Sequence, residues 1–103
     1  MTKTDWKNLY DKLHLIYFEF IKAYYDDVNG KTDKIKREGN EKAHLYIDKS
    51  ISILSSNEQA YRLIFDSQET NNLRDSIILE DFKKPHYFDK SMEYILEKIY
   101  KLT

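Results

Sequence analysis

The sequence predicts an all-α fold: a compact antiparallel bundle of four to five helices with a long, aromatic-rich first helix. Three observations carry that prediction. Apolar side chains recur at three- and four-residue spacing through most of the 103 residues. Only two glycines and one proline are present, too few for the turns of an all-β chain, and they fall between the periodic segments. Residues able to cap helices (Thr2, Asn40, Ser56, and Asp89 or Ser91) stand before most of those segments.

The first helix is predicted to start at a capping box formed by Thr2 and Asp5 and to run to about Val28. Its Trp6, Leu9, Tyr10, Leu13, Ile16, Tyr17, Phe20, Ile21 and Tyr24 cover one broad face at ~100° per residue. Phe18 and Tyr25 widen the apolar arc to roughly 200°, against the ~100° that a surface helix needs. Nearly half of the chain's aromatic residues lie in this one segment. Such a helix is either wrapped by its neighbours or keeps a patch for a partner.

Asn29-Gly30 is expected to give a left-handed exit from the first helix. Thr32 to Arg37 reads as a short helical turn or loop, interrupted by Gly39-Asn40, with Asn40 capping a second helix to about Leu54. Ala43, Ile47, Ser50, Ile51 and Leu54 form its inward stripe, while Lys42, Lys49 and Ser52 face water. Ser56 and Gln59 make a capping box for a third helix that turns Ala60, Tyr61, Ile64 and Phe65 inward. Residues 66–72 read as a polar turn or as part of a helix continuous through them, so that residues 57–84 form two helices or one. Leu73, Ile77, Ile78 and Phe82 suggest a fourth helix ended by Pro85, although Ile77-Ile78-Leu79 is β-prone. Asp89 or Ser91 then caps a last helix, with Met92, Ile95, Leu96 and Ile99 inside and Glu93, Glu97, Lys98 and Lys101 opposite.

At this length the chain is expected to form a single helical domain over residues 1–103. Hydrophobic residues at 41% and charged residues at 34% set it apart from disordered chains. A formal net charge of −1 gives no global attraction to nucleic acid or anionic lipid, and it is far from the acidic excess of a DNA mimic. Cysteine is absent, which removes disulfides, thiolate metal ligands and cysteine nucleophiles, and fits a cytoplasmic protein. The first residues lack the apolar core of a secretory signal, and the strongest apolar run, Leu15 to Phe18, is far short of the ~20 residues of a membrane span. Abundant Lys, Asn, Ile and Tyr with scarce Ala, Gly, Pro and Arg is the usage of A/T-rich codons, pointing to a low-GC bacterium or its phages and plasmids.

Candidate chemistry is sparse. Gly30-Lys31-Thr32 resembles the end of a phosphate-binding loop, but the glycine required five positions earlier is Tyr25, within a helix. Asp11/His14 and Glu41/His44 have the acid-x-x-His spacing of di-metal bundles, which Glu80 or Asp81 with Glu93 or Glu97 would complete. Direction opposes this, since Asp11 and Glu41 lie about 150° and 120° from their helices' apolar centres. No metal and no cofactor is therefore expected. His14 and His86 are isolated, and no nucleophile has a base beside it. The basic stretch from Lys31 to Lys42 is interleaved with Asp33, Glu38 and Glu41 and has no aromatic platform, so it reads as a solvated loop rather than a nucleic-acid surface.

Arg37 and His44, separated by six residues, resemble the Arg-x(4–6)-His signature of HEPN-type helical ribonucleases, although Glu38 stands where that family usually has Asn, Asp or His. The resemblance implies that Arg37 binds the scissile phosphate while His44 transfers protons, near a helix start at a dimer interface. The simpler reading pairs His44 with Asp48 one turn away and leaves Arg37 in a solvated loop.

The remaining signal is aromatic. Leu15, Phe18, Tyr25 and, on the last helix, Tyr94 project away from the inward stripes, and Phe18 and Tyr25 are nearly aligned two turns apart. The expected function is accordingly non-catalytic: stoichiometric binding of another protein, with Phe18 and Tyr25, helped by Leu15 and Lys22, entering a groove on the partner. In size and inferred architecture the chain is similar to bacteriocin immunity proteins, antitoxins and phage-encoded inhibitors of host defence. That likeness implies a toxin, a bacteriocin receptor or a host-defence factor as partner, with self-association as another way to cover the patch. The alternative is the Arg37/His44 ribonuclease.

Overall fold

A computed structural model describes residues 1–65 and 79–103. Among these residues there are five helices and no strand: α1 (Lys3–Asn29), α2 (Asp33–Ser55), α3 (Glu58–Phe65), α4 (Leu79–Phe82) and α5 (Pro85–Tyr100). The all-α bundle read from the periodicity is the architecture observed.

Helix α1 begins at the predicted capping box. Thr2 Oγ1 accepts from the Asp5 N–H at 3.1 Å, and Asp5 Oδ2 accepts from the Thr2 N–H at 2.9 Å. Those hydrogen bonds from Thr2 hold the Asp5 carboxyl below its ordinary pKa. At ~1.5 Å per residue its 27 residues extend about 40 Å, close to the 44 Å long dimension of the molecule. Trp6, Leu9, Leu13, Tyr17, Phe20 and Ala23 are buried along it.

The exit from α1 differs from expectation. Gly30 has φ −57° and ψ 141°, an extended conformation rather than a left-handed one. Thr32 then caps α2 directly, its Oγ1 accepting from the Ile35 N–H at 3.1 Å, and the helix runs without interruption through Gly39 and Asn40. Of the two readings of Thr32–Arg37, helical turn or loop, the helical one holds, while the interruption at Gly39-Asn40 and the predicted cap at Asn40 are corrected. Gly39 is buried where α2 crosses α1. A β-carbon there would come within 2.6 Å of the Asp27 nitrogen and 2.7 Å of the Ala23 oxygen. The glycine thus serves helix–helix approach, not chain reversal. Asn40, instead of capping, donates through Nδ2 to Asp27 Oδ2 at 3.2 Å and ties the two helices near their connection.

The inward stripe of α2 is as predicted: Ala43, Ile47, Ser50 and Leu54 are buried, and Ile51 is half-buried. The cap of α3 is Asn57, whose Oδ1 accepts from the Ala60 N–H at 3.1 Å. The predicted Ser56/Gln59 box does not form. Ser56 Oγ donates to the Ile53 carbonyl at 2.8 Å, and Gln59 Oε1 accepts from the Met1 ammonium at 2.7 Å. Ala60 and Ile64 are buried, whereas Tyr61 and Phe65 are half-buried.

The predicted turn over 66–72, and Leu73, Ile77 and Ile78, lie outside the described residues. Pro85, read as a terminator, is the first residue of α5, where its missing N–H costs nothing and its fixed φ suits a helix start. The predicted caps Asp89 and Ser91 are therefore interior to α5, and Phe88, left unassigned by the sequence, is fully buried. Met92, Ile95, Leu96 and Ile99 are buried as expected. Rings link the elements: Phe20 meets Phe88 at 4.5 Å between centroids, Phe88 meets Phe82 at 4.9 Å, and Phe82 meets Phe65 at 5.4 Å. Lys98 Nζ donates to the Leu63 carbonyl at 3.3 Å, holding α5 against α3.

Candidate functional site

Helix α1 carries more apolar surface than its neighbours cover. Helix α2 closes on the Ala23 side through Gly39, and α5 lies on the Tyr17 side, running antiparallel so that Tyr17 meets Asp89 while Tyr10 meets Tyr100. The outer flank stays open. Leu15 is 64% exposed, Phe18 53% and Tyr25 66%, as the angular reading of the sequence requires. Ile21 was assigned to the inner face but is 45% exposed, and it falls in line with Phe18 and Tyr25 at helical spacing. The arc is simply wider than two neighbouring helices can enclose.

Lys22 belongs to this flank. Its Nζ lies 4.6 Å from the centroid of the Phe18 ring and 3.4 Å from Glu19 Oε1, with both charged side chains largely exposed. The ring contact is worth about 0.5–1 kcal/mol at such a site, enough to bias the lysine over the ring without hiding it. Tyr94 does not join the flank. It lines a separate shallow depression with Glu97, Lys98 and Lys101, its ring 5.6 Å from Lys98 Nζ.

Beside the flank, the seam between α1 and α5 opens into a groove of about 440 Å³. Helix α1 contributes Tyr10, His14, Tyr17, Phe18 and Ile21; α5 contributes Glu93, Leu96, Glu97 and Tyr100. The Tyr17 hydroxyl fixes the register of the two walls, donating to Asp89 Oδ1 at 2.8 Å, with Glu93 Oε1 3.4 Å away. Burial, followed by the Asp89 carboxylate, pushes the Tyr17 phenol well above its ordinary pKa, so it stays a donor throughout the neutral range. The His14 ring stacks on Tyr10 at 5.6 Å, and Tyr10 meets Tyr100 at 5.6 Å. Sequence reasoning found Phe18 but missed the α5 wall, because Glu93 and Glu97 read as an ordinary solvent stripe.

Arg37 and His44 are both exposed on α2. Because α2 is unbroken, they sit two turns apart on one flank, separated by about 10 Å along the axis. The predicted pairing of His44 with Asp48 is not formed among the described residues. Of the basic stretch Lys31 to Lys42, the part from Asp33 onward is the start of a helix rather than a loop, and the stretch is exposed except at Gly39 and Asn40. Gly30-Lys31-Thr32 forms the α1–α2 connection and cap, with Tyr25 inside α1. Asp11 and Glu41 point to solvent, and among the described residues no three His, Cys, Asp or Glu side chains converge to hold a metal ion. Among the same residues, no helix is long and apolar enough to cross a membrane.

No protein-family model matches the chain, and no curated protein or solved structure matches it either.

Proposed function

We propose that this protein works without catalysis, by binding another protein stoichiometrically through the outer flank of α1. Leu15, Phe18, Lys22 and Tyr25 are the contact residues of this reading, and Ile21, exposed in line with Phe18 and Tyr25, joins them in it. The observation that supports this is the exposure of Leu15, Phe18, Ile21 and Tyr25 on a helix whose other face is buried in the core. Aromatic side chains clustered on a rigid element are what interface hot spots are built from. The action is occlusion, of the inhibitor, immunity or antitoxin type, on a toxin, a bacteriocin receptor or a host-defence factor. The setting is a cytoplasmic, single-domain protein, bacterial or phage-borne in anti-defence.

The test replaces Phe18 and Tyr25 together by alanine. Complex formation with a protein captured from source-cell extract is lost, while the thermal midpoint changes little, because exposed substitutions stay within roughly 0.5 kcal/mol. A large fall in stability would make the flank part of the core and end the proposal.

A second reading gains from one observation. The unbroken α2 aligns Arg37 and His44 on one exposed flank, where a ribonuclease of the HEPN kind would need them. Under it, RNA is cleaved by the wild type and not by His44→Ala; cleavage that persists in the variant removes His44 from the chemistry.

A further inference from the structure

The groove between α1 and α5 differs from the rest of the surface in both polarity and charge. Its floor and α1 wall are apolar or aromatic, while Glu93 and Glu97 stand one turn apart on the α5 wall. No Lys or Arg is among its lining residues. Glu93 is approached by the Tyr17 hydroxyl at 3.4 Å. Glu97 meets Lys101 at 3.8 Å, with both side chains at least 70% exposed, a pair that solvent screens to little net value. Two like charges at i and i+4 repel each other mildly, and a cation placed between them relieves that repulsion. The chain as a whole carries only −1, so this acidic wall is a local property.

We infer that the groove receives an amphipathic helical segment of another protein, with apolar side chains along Phe18 and Ile21 and a Lys or Arg over Glu93 and Glu97. This deepens the docking proposal and rests on it. From Tyr10 to Ile21 the groove follows α1 for about 16 Å, three helical turns, so a helix laid in it packs as a third member beside α1 and α5. Anchors at i, i+3 or i+4 and i+7 match that length. The Tyr10 and Tyr100 rings, beside the carboxylates, suit the methylene stem and head of a basic side chain. A second copy of this chain fits less well. Its own exposed flank sets Asp11 and Asp26 against Lys7 and Lys22, and so offers no net positive charge to an acidic wall.

The experiment selects from a displayed library of about 14-residue peptides on the wild-type protein, then measures the selected peptides by fluorescence anisotropy. Selected sequences should carry apolar residues at helical spacing with Lys or Arg beside them, and should weaken as salt is raised. The double variant Glu93→Gln/Glu97→Gln should bind about tenfold less tightly, and Glu93→Lys/Glu97→Lys should bind less tightly still, with circular dichroism unchanged. An empty selection, acidic or neutral consensus peptides, or unchanged affinity in the Lys variant overturns the inference. So does sedimentation showing a dimer that Ile21→Asp dissociates, which gives the groove to a second copy. If binding needs Phe18 and Tyr25 but ignores Glu93 and Glu97, this inference falls and the flank proposal stands. If binding needs the two glutamates and survives Leu15→Ala/Tyr25→Ala, two flank positions outside the groove, the groove stands and the flank does not.

Discussion

Where α1 meets α2, the residues at closest approach are small. Gly39 lies against the Ala23 and Asp27 backbone and the Asp26 β-carbon, and Ala43 is fully buried beyond it. Where α1 meets α5, the contacts are rings and carboxylates: Tyr17 on Asp89, Phe20 on Phe88, Tyr10 on Tyr100. Small residues let two helix backbones approach until the seam is closed. Large ones hold the axes apart, and the space between them is either filled or left as a groove. Around Gly39, α1 thus makes a closed contact with α2, and between Tyr10 and Ile21 an open one with α5, a difference set by side-chain volume.

That contrast can be broken most sharply at Gly39. An alanine in a helix interior normally gains about 0.5–1 kcal/mol over glycine. Here its β-carbon has no room, and Gly39→Ala is expected to lose about 1–3 kcal/mol net, as overpacked sites do. A lower urea midpoint at unchanged slope is the expected reading; a higher midpoint would show that the α1–α2 seam is not sealed.

At the open seam, Tyr17→Phe removes one charge-assisted hydrogen bond and should cost about 1–2 kcal/mol at neutral pH. The sign of the pH effect follows from the raised phenol pKa. Below the ordinary tyrosine value of about 10 the bond contributes in full. Above it, the unfolded chain ionises while the folded phenol keeps its proton, so stability falls as pH rises. Urea midpoints between about pH 9 and 11 should therefore converge for wild type and Tyr17→Phe. A gap constant across that window would mean that neither burial nor Asp89 holds the phenol protonated.

The smallest effect is expected on the sealed side. Ser50 is fully buried and its hydroxyl has no partner among the described residues. Ser50→Ala should stabilise by about 1 kcal/mol, because an unpaired buried hydroxyl costs about that much and alanine favours the helix. Destabilisation would show that Oγ is bonded after all.

Much of this was legible in one dimension. The start of α1, and the inward stripes of α2 and α5, follow from a 3.6-residue period and a local cap, both properties of neighbouring residues. The exposed positions of Leu15, Phe18 and Tyr25 follow from angle alone. Gly39 was misread because a glycine that breaks a helix and one that lets another helix approach look alike until the other helix is in place. The start of α5 was placed too late, at Asp89 or Ser91, because a proline that follows the end of one helix can also begin the next. The groove was illegible for a related reason. Which α5 residues face α1 depends on a register set across the chain by Tyr17 and Asp89, 72 positions apart.

That separation has a bearing on assembly. Asp27 and Asn40 are bonded across only 13 positions, so the α1–α2 hairpin closes a short loop and can form early. The contact of Tyr17 with Asp89 on α5 spans 72 positions and so closes a much longer loop. The cleft that α5 completes is consequently a composite epitope, present on the finished tertiary structure and lost whenever α5 detaches. A ligand touching both walls would select native chains and protect them from unfolding in proportion to its free concentration.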